Sequence, residues 1–339
     1  MKKIFLYAAC TALVLSSCSN EILDSNDPIL TGNSNVTINA YVPGMTRAYE
    51  MDEATLDSLQ TYGFYLKVDT INEQTSAAVN LYTDLMTYRD KTWLPFAGTD
   101  LKWPKDATKE LQFYALFAGA NLTQSDMAAF DSQESGSAVI SENYDGETDL
   151  MCAYNALSLV ESSLGSIDLT FNHVLAQVSV NMTADASFNG YYYRVGAVRL
   201  GAPSTGSYDF VDDVFTTVST KLKSFALDAY SLSEDSAEFL MDNEYADGLT
   251  IEAGEVTSMG NLAVVPGDCK LYVSYIIAMD GQDVVPEIKT DSISFSALKG
   301  YNNKVNVSLC PTEVGMTFNV DVNSWEEPDN STDVTLSNN

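Results

Sequence analysis

The chain has 339 residues, of which 47 are acidic and 17 are Lys or Arg, so its formal net charge at pH 7 is -30. That charge argues against nucleic acid as a partner, because the phosphates would be repelled. Hydrophobic residues make up 45% of the chain and aromatic residues 11%, which is enough apolar material for packed cores. The length predicts about two domains.

The N-terminus predicts export. A lysine pair is followed by an apolar run over residues 4–15, then by two serines and Cys18, and this layout is typical of a secretory signal over residues 1–17. A spanning helix needs about 20 apolar residues, so the run is too short for a transmembrane anchor. The end of the signal resembles a bacterial lipobox, which implies that Cys18 carries the lipid. Residues 18–35 are polar and predict a lipidated, flexible tether.

Beyond the tether, the sequence predicts short β-strands separated by turn signals. The predicted strands cover residues 36–42, 59–68, 77–82, 85–93, 110–118, 149–153, 167–182, 191–200, 208–210, 214–218, 261–265, 271–279, 284–289, 305–309 and 316–322. Turns are predicted at residues 201–207, 266–268 and 280–281, and a short helix at 124–130. Many short strands without long helical periodicity indicate an all-β fold built of β-sandwiches.

The domain prediction is two tandem β-sandwiches. The N-terminal domain is expected over residues 36–165 and the C-terminal domain over residues 166–325, with the boundary near Gly165. Residues 326–339 form a polar tail.

The sequence offers little for catalysis. The single histidine, His173, lies in an alternating strand pattern and is interpreted as structural. Nucleotide-binding and hydrolase motifs are absent, as is zinc-ligand spacing. A hydrolase using paired carboxylates stays open, although no pair is singled out. We therefore expect no enzyme activity, no catalytic residue, no metal and no cofactor.

Three cysteines follow Cys18, and their spacing implies no disulfide framework. Buried free thiols are the favoured interpretation, while a disulfide in an oxidising compartment stays open. These cysteines are Cys152, Cys269 and Cys310.

An ordered set of motifs resembles the fimbrillin family of lipoprotein pilins, which build type V pili in gut and oral anaerobes. Each motif alone is loose, and their order together with the lipobox carries the resemblance over nearly the whole chain. The motifs are GMTRA at 44–48, YGFYLKV at 62–68, LKWP at 101–104, LQFYA at 111–115, FNHVLAQV at 171–178, GYNNKV at 300–305 and FNVDVNSW at 318–325. The resemblance implies two transthyretin-like β-sandwich domains.

The resemblance also implies a route to the cell surface. The precursor would be an outer-membrane lipoprotein held through Cys18, and an arginine-specific protease would cut the Arg47-Ala48 bond. Cleavage would remove lipid, tether and first strand (36–47) together. The vacated groove would accept a strand from another pilin subunit, giving a fimbrium that mediates adhesion. Any host or glycan ligand is left open.

The position of Arg47 in the sequence supports this route. Between Lys3 and Lys67, Arg47 is the only basic residue, so a protease specific for arginine has one target in the N-terminal stretch; an ordinary turn residue is the alternative interpretation. Removing a first strand would leave unpaired backbone groups that another strand can satisfy. The donor strand, whether residues 316–322 or the tail, and the choice among stalk, tip and anchor subunit stay open.

A second function hypothesis is a monomeric, lipid-anchored surface protein that binds glycans. Aromatic side chains can form sugar platforms, and core packing is the alternative interpretation for each of them. The candidates are Trp93, Trp103 and Tyr191-Tyr192-Tyr193.

Overall fold

The computed structural model describes residues 34–41, 59–60, 62–71, 77–118, 136–140, 144, 146, 149–188, 190–219, 221–227, 249–279, 289–311 and 316–324. This part of the chain is nearly all β, as predicted. Within it, no helix has the length and apolar character needed to cross a membrane.

The described residues form twenty strands. The first ten are β1 Thr37–Tyr41, β2 Phe64–Ile71, β3 Ala78–Arg89, β4 Thr92–Pro95, β5 Leu111–Phe117, β6 Ser137–Ile140, β7 Met151–Leu157, β8 Ser166–Thr170, β9 Asn172–His173 and β10 Ala176–Ala184. The others are β11 Tyr191–Pro203, β12 Gly206–Asp209, β13 Val214–Thr217, β14 Leu222–Ala226, β15 Leu249–Thr250, β16 Thr257–Val264, β17 Gly267–Met279, β18 Lys289–Ala297, β19 Tyr301–Leu309 and β20 Met316–Ser324.

A six-stranded sheet, in the order β4-β3-β2-β5-β7-β9, forms the main layer of the N-terminal half. One face packs against the two-stranded sheet β1-β8, and Phe64, Phe113, Trp103 and Leu169 belong to the core between them. Strand β5 reads LQFYALF, and its side chains are buried on both faces. This explains why it is a continuous apolar run rather than an alternating one.

A second sandwich lies in the C-terminal half. The four-stranded sheet β16-β10-β19-β20 packs on the five-stranded sheet β14-β11-β17-β18, whose β11 also pairs with β15. Strand β10 alternates strictly between buried and half-buried side chains, so that Val178, Val180 and Met182 enter the core. That period of two is the pattern of a strand with one buried face.

A small three-stranded sheet joins elements from both halves of the sequence. Its order is β13-β12-β6, and Ala138 on β6 pairs with Tyr208 on β12. Tyr208 and Phe210 pack with Tyr65 and Tyr114, which lie on the second face of the six-stranded sheet. The six-stranded sheet is therefore covered on both faces.

The long strand predicted over residues 167–182 is wrong, because the chain changes sheets twice in this stretch. Strand β8 pairs with β1, β9 with β7, and β10 with β16 and β19. Phe171, Val174, Leu175 and Ala176 each enter a different hydrophobic cluster. An alternating pattern cannot report such a transfer between sheets.

Local backbone geometry explains two further differences. The strand predicted from residue 59 begins only at Phe64, because a helical turn precedes it and ends at Gly63. Gly63 has φ +79, and a Cβ at this position would lie 2.2 Å from the Met86 carbonyl oxygen. The strands predicted at 77–82 and 85–93 are instead one strand, β3, followed by β4. Asp90 and Lys91 both have positive φ and form the tight turn between them.

Other strand limits were shifted or missed. Strand β11 runs to Pro203, into the predicted turn, because β14 pairs with it from Arg199 to Pro203. Strands β6, β14, β15 and most of β18 were not predicted, whereas the helix expected at 124–130 and the 280–281 turn lie outside the described residues. Residues 166–173 pair with N-terminal strands; the domain count and the boundary at residue 165 stay predictions.

Candidate functional site

The residues predicted to carry processing do not lie in the described part of the chain. Cys18, Arg47 and Ala48 all fall outside it. The strand predicted to be removable, 36–47, is described as far as Tyr41. Its β1 segment is therefore the part of the candidate site that the structure describes.

Strand β1 lies parallel to β8, from Thr37 opposite Ser166 to Tyr41 opposite Thr170. The ladder is extended at both ends: the Thr37 amide donates to the Gly165 carbonyl at 3.1 Å, and the Phe171 amide donates to the Tyr41 carbonyl at 2.7 Å. Pairs in a parallel ladder are slightly less stable per residue than antiparallel ones.

Among the described residues, pairing at the opposite edge of β1 occurs only at its start. The Val36 amide donates to the Leu101 carbonyl at 2.9 Å, and the Trp103 amide donates to the Ser34 carbonyl at 2.9 Å. Within the described residues, β8 is the one strand that forms a ladder with β1. Strand β1 is thus held along one edge by β8 and pinned at its N-terminal end by residues 101–103.

The face of β1 that points inward completes the N-terminal core. Ile38 is 5% exposed, and Val36 and Ala40 are half-buried against the same cluster. We call the surface that these three side chains cover the β1 groove. A cleft of about 150 Å³ stays open beside it, between β1 and β4. Its apolar lining includes Val36, Ile38, Met86, Trp93, Pro95 and Leu101.

The carbonyl of Gly165 ties the groove to the core beneath it. It accepts both the Thr37 amide and the indole Nε1–H of Trp103, the latter at 3.0 Å. Trp103 is 1% exposed, and its ring lies edge-on to Phe113 with centroids 6.0 Å apart. Trp103 therefore orients the first acceptor of the β1 ladder. The sequence indicated this tryptophan as part of the 101–104 motif and as a candidate sugar platform, and neither interpretation predicted its contact with β1.

The chain contains four arginines, and the structure describes three of them. Arg194 and Arg199 lie in β11 and are paired on both sides, with β15 or β14 and with β17. Arg89 is exposed at the end of β3, where its Nη2 donates to the Pro95 carbonyl at 3.0 Å inside the tight β3–β4 turn. A protease that needs an extended substrate therefore meets folded backbone at all three.

His173 has a structural environment, in agreement with the sequence interpretation. It is 8% exposed, and its Nδ1 lies 2.7 Å from Oδ2 of Asp149. The nearby thiol of Cys152 is fully buried; burial, followed by the charge of Asp149, raises its pKa well above the usual value. A thiol held protonated is a poor nucleophile. In the described part of the chain, no cluster of His, Cys, Asp and Glu is arranged to hold a metal.

Cys152 and Cys269 are buried free thiols, as favoured from the sequence, whereas Cys310 is a free thiol that is only half-buried. Most of the aromatic residues considered as sugar platforms are instead core residues: Trp93, Trp103 and Tyr193 are buried, and Tyr191 packs against the C-terminal core. Tyr192 differs, because it is half-exposed.

Fold and site together define a β-sandwich protein whose first strand completes its N-terminal core. A family model for fimbrillin-like proteins matches residues 46–325, and the chain belongs to this family. The matched region begins next to Arg47 and leaves β1 outside it. Family membership gives the chain a structural role in a pilus or an adhesin at the cell surface, with other pilin subunits as partners.

A solved structure supports the fold, and two others show a weaker similarity. A fimbrial protein from Bacteroides vulgatus is 13% identical, with 86% of this chain and 100% of that chain covered and a TM-score of 0.60. A protein from Bacteroides eggerthii proposed to act in cell adhesion is 10% identical, with 87% of this chain and 97% of that chain covered and a TM-score of 0.48. A fimbrial assembly protein from Parabacteroides distasonis is 10% identical, with 87% of this chain and 97% of that chain covered and a TM-score of 0.39. No curated protein matches the chain.

Proposed function

We propose that this protein is a pilus subunit that assembles by strand exchange in the β1 groove. It is exported as an outer-membrane lipoprotein through Cys18, and an arginine-specific protease then cuts the Arg47-Ala48 bond. Residues 18–47, with lipid, tether and β1, leave as one piece. A strand of a second subunit takes the place of β1, and the resulting fimbrium mediates adhesion. Two tandem β-sandwich domains form the subunit.

The observation that carries this proposal is that the side chains of β1 fill its groove only in part. Its inward face supplies one fully buried side chain, Ile38, and such burial contributes roughly 1.5–3 kcal/mol. The half-buried Val36 and Ala40 contribute less, and the cleft of about 150 Å³ beside Ile38 remains unfilled. An incoming strand with larger apolar side chains would bury more surface in the same groove.

The direction of β1 also favours its replacement by another strand. Because β1 runs parallel to β8, an antiparallel replacement would form a slightly more stable ladder. While β1 is joined to the chain, it competes as an intramolecular partner at high effective concentration. Cleavage at Arg47 removes that advantage, so the cut acts as the switch for exchange.

The positions of the other arginines support Arg47 as the single target. Arg194 and Arg199 are central in a sheet, and Arg89 lies in a tight hairpin. Proteolysis at such sites requires local opening of the folded chain. Rapid cleavage is therefore expected at Arg47 alone.

Treatment of the full-length chain, held in neutral detergent, with an arginine-specific protease tests the proposal. We expect a new N-terminus at Ala48, followed by oligomers detectable by native mass spectrometry. An Arg47→Ala variant should be neither cut nor assembled, whereas the matched Arg89→Ala variant should behave as the natural chain. An excess of a synthetic peptide spanning residues 34–42 should slow assembly by refilling the groove.

Two outcomes would contradict parts of the proposal separately. Oligomers formed by uncut Arg47→Ala protein would remove processing from the mechanism. A chain that is cut completely at Arg47-Ala48 and stays monomeric at high concentration would remove strand exchange between copies of this subunit. Mass spectrometry of the signal-processed precursor tests the lipid, since an unmodified Cys18 would exclude the anchor.

A further inference from the structure

The outer face of the five-stranded sheet has a composition unlike the rest of the chain. Val195, Leu200, Leu271, Val273 and Phe295 point into the C-terminal core. Strand β11 has a register shift between Val195 and Ala197; on either side of it, and along β17 and β18, alternation places the neighbouring residues on the opposite face. Ile276 lies on that outer face and is buried. The other residues on it include Tyr192, Arg194, Arg199, Asp268, Lys270, Tyr272, Ser274, Thr290, Ser292, Ser294 and Ser296.

Two tyrosines on this face each lie beside a cation. The guanidinium carbon of Arg194 lies 5.7 Å from the centroid of the Tyr192 ring, and Nζ of Lys270 lies 4.9 Å from the centroid of the Tyr272 ring. Both distances are within the range of cation–π attraction. Each pair is formed by residues i and i+2 of one strand, so both members point to the same side.

The two cation–tyrosine pairs lie on neighbouring strands of the sheet. Arg194 pairs in register with Ile276 on β17, four residues from Tyr272, which corresponds to about 13 Å along a strand. Arg199 lies directly opposite Tyr272. The arrangement is a row of positive and aromatic groups rather than a single spot.

The charge of this face is opposite to that of the molecule. Among its described residues are three cations, Arg194, Arg199 and Lys270, and one carboxylate, Asp268, which accepts a hydrogen bond from the Ser296 hydroxyl at 3.2 Å. The whole chain has a net charge of -30 with only 17 basic residues. At physiological salt, charges separated by more than about 8 Å are largely screened, so a ligand at this face responds mainly to the local cations.

A row of hydroxyl groups lies next to the cations. Strand β18 places Thr290, Ser292, Ser294 and Ser296 on the outer face, where all four are exposed. Ser292 is opposite Tyr272, and Ser294 is opposite Lys270. Neighbouring strands are about 4.8 Å apart, so a single extended ligand can reach the cations, the rings and the hydroxyls together.

We propose that the outer face of β11, β17 and β18 binds an acidic polysaccharide. Arg194 and Lys270 would pair with carboxylate or sulfate groups of the ligand, as charge-assisted hydrogen bonds. Tyr192 and Tyr272 would stack on the apolar faces of sugar rings, and the β18 hydroxyls would bond to sugar hydroxyls. Cations, rings and hydroxyls spread over three neighbouring strands fit an extended hydroxylated chain. This site does not depend on strand exchange or on the β1 groove.

The test uses the uncut full-length chain in neutral detergent at 0.15 M salt, so that assembly plays no part. Titration calorimetry with heparin oligosaccharides and with polyuronate oligosaccharides distinguishes sulfate from carboxylate ligands. We expect saturable binding to at least one of them and none to neutral dextran. The double variant Arg194→Gln, Lys270→Gln should lower the affinity at least about tenfold, and Tyr272→Ala should lower it as well.

A matched double variant, Lys105→Gln with Lys221→Gln, makes the same change in net charge at exposed sites outside the face. It should bind as the natural chain does. Equal losses in the two double variants, or no binding to either acidic oligosaccharide, would overturn the proposal. Equally tight binding to vesicles of anionic phospholipid would also overturn it, because the face would then be a general anion surface. Circular dichroism of each variant checks that the fold is intact.

Discussion

At the scale of single residues, Trp103 has the most specific role in the groove. Its indole N–H and the Thr37 amide share the carbonyl of Gly165 as acceptor. A buried carbonyl that loses a donor keeps the cost of desolvation without the compensating bond. Trp103 therefore packs in the core and also holds the acceptor that binds the first residue of β1.

Replacing Trp103 by Phe should lower the free energy of unfolding by about 1–3 kcal/mol, because both a buried hydrogen bond and side-chain volume are lost. Denaturant titration measures the loss, and hydrogen exchange should become faster at the Thr37 amide. The control is Tyr193→Phe, since Tyr193 is also buried, belongs to the C-terminal core and loses a hydrogen bond to the Asp185 carbonyl at 3.3 Å. Equal exchange at Thr37 in both variants would contradict the role of Trp103.

The cysteines give a second prediction at this scale. Burial raises the pKa of Cys152 well above the usual value and the pKa of Cys269 to about 12. Because the thiolate is the reactive form, neither should react with iodoacetamide in the folded protein at pH 8. Cys310 is only half-buried and should be modified first. Mass spectrometry after brief labelling decides this, and early labelling of Cys152 would contradict the packing described.

At the scale of elements, β1 is the informative strand. The sequence predicted it almost to the residue, because 36–42 alternates with period two. It could not predict the partner, because β8 lies more than a hundred residues away and joins β1 only in the folded chain. The predicted 167–182 strand is divided into β8, β9 and β10, which belong to three sheets. The sequence could not predict this either, because the partner strands are distant in the chain.

Introducing a charge at the buried position of β1 should release the strand. We expect Ile38→Asp to cost several kcal/mol of β1 binding, because a carboxylate would replace an apolar side chain in the core. Hydrogen exchange over residues 36–41 and in β8 should lose protection. The control, Asn39→Ala, removes only an exposed hydrogen bond to Asp168 at 2.8 Å and should cost less than about 1 kcal/mol. Unchanged protection in Ile38→Asp would show that β1 is not held by its inward face.

At the scale of the whole molecule, the three-stranded sheet links the two halves of the sequence. Tyr208 packs on the six-stranded sheet, and its hydroxyl donates to Oδ1 of Asp213 at 2.7 Å. The same carboxylate pairs with Lys299 in the β18–β19 turn, and Nζ of Lys299 lies 5.3 Å from the Tyr208 ring centroid. This cluster fastens the β12–β13 hairpin to the C-terminal sandwich.

The cluster predicts a dependence of stability on pH. Burial alone would raise the pKa of Asp213, but the hydrogen bonds from Lys299 and Tyr208 lower it below its usual value. A carboxyl whose pKa is lowered on folding stabilises the protein above its unfolded pKa of about 3.9, and the contribution is lost as pH falls through the folded pKa.

A Lys299→Met variant should therefore be less stable than the natural chain at pH 7, by less than about 1 kcal/mol because Asp213 is largely exposed. The difference should shrink as pH falls below about 4. Thermal unfolding at several pH values measures it, with Lys221→Met as the control for loss of an exposed lysine. A difference that stays constant to pH 2 would contradict the assignment to Asp213.

The sequence by itself determined that this is an acidic, all-β chain with alternating strands, one histidine and a motif order that identifies its family, and it predicts export. These properties are local, and periodicity and short motifs report them directly. The tertiary structure decided which strands meet. The partner of β1, the shared carbonyl of Gly165 and the row of cations and tyrosines across β11 and β17 depend on contacts between distant segments. Such contacts are set by packing and register, which no local pattern encodes.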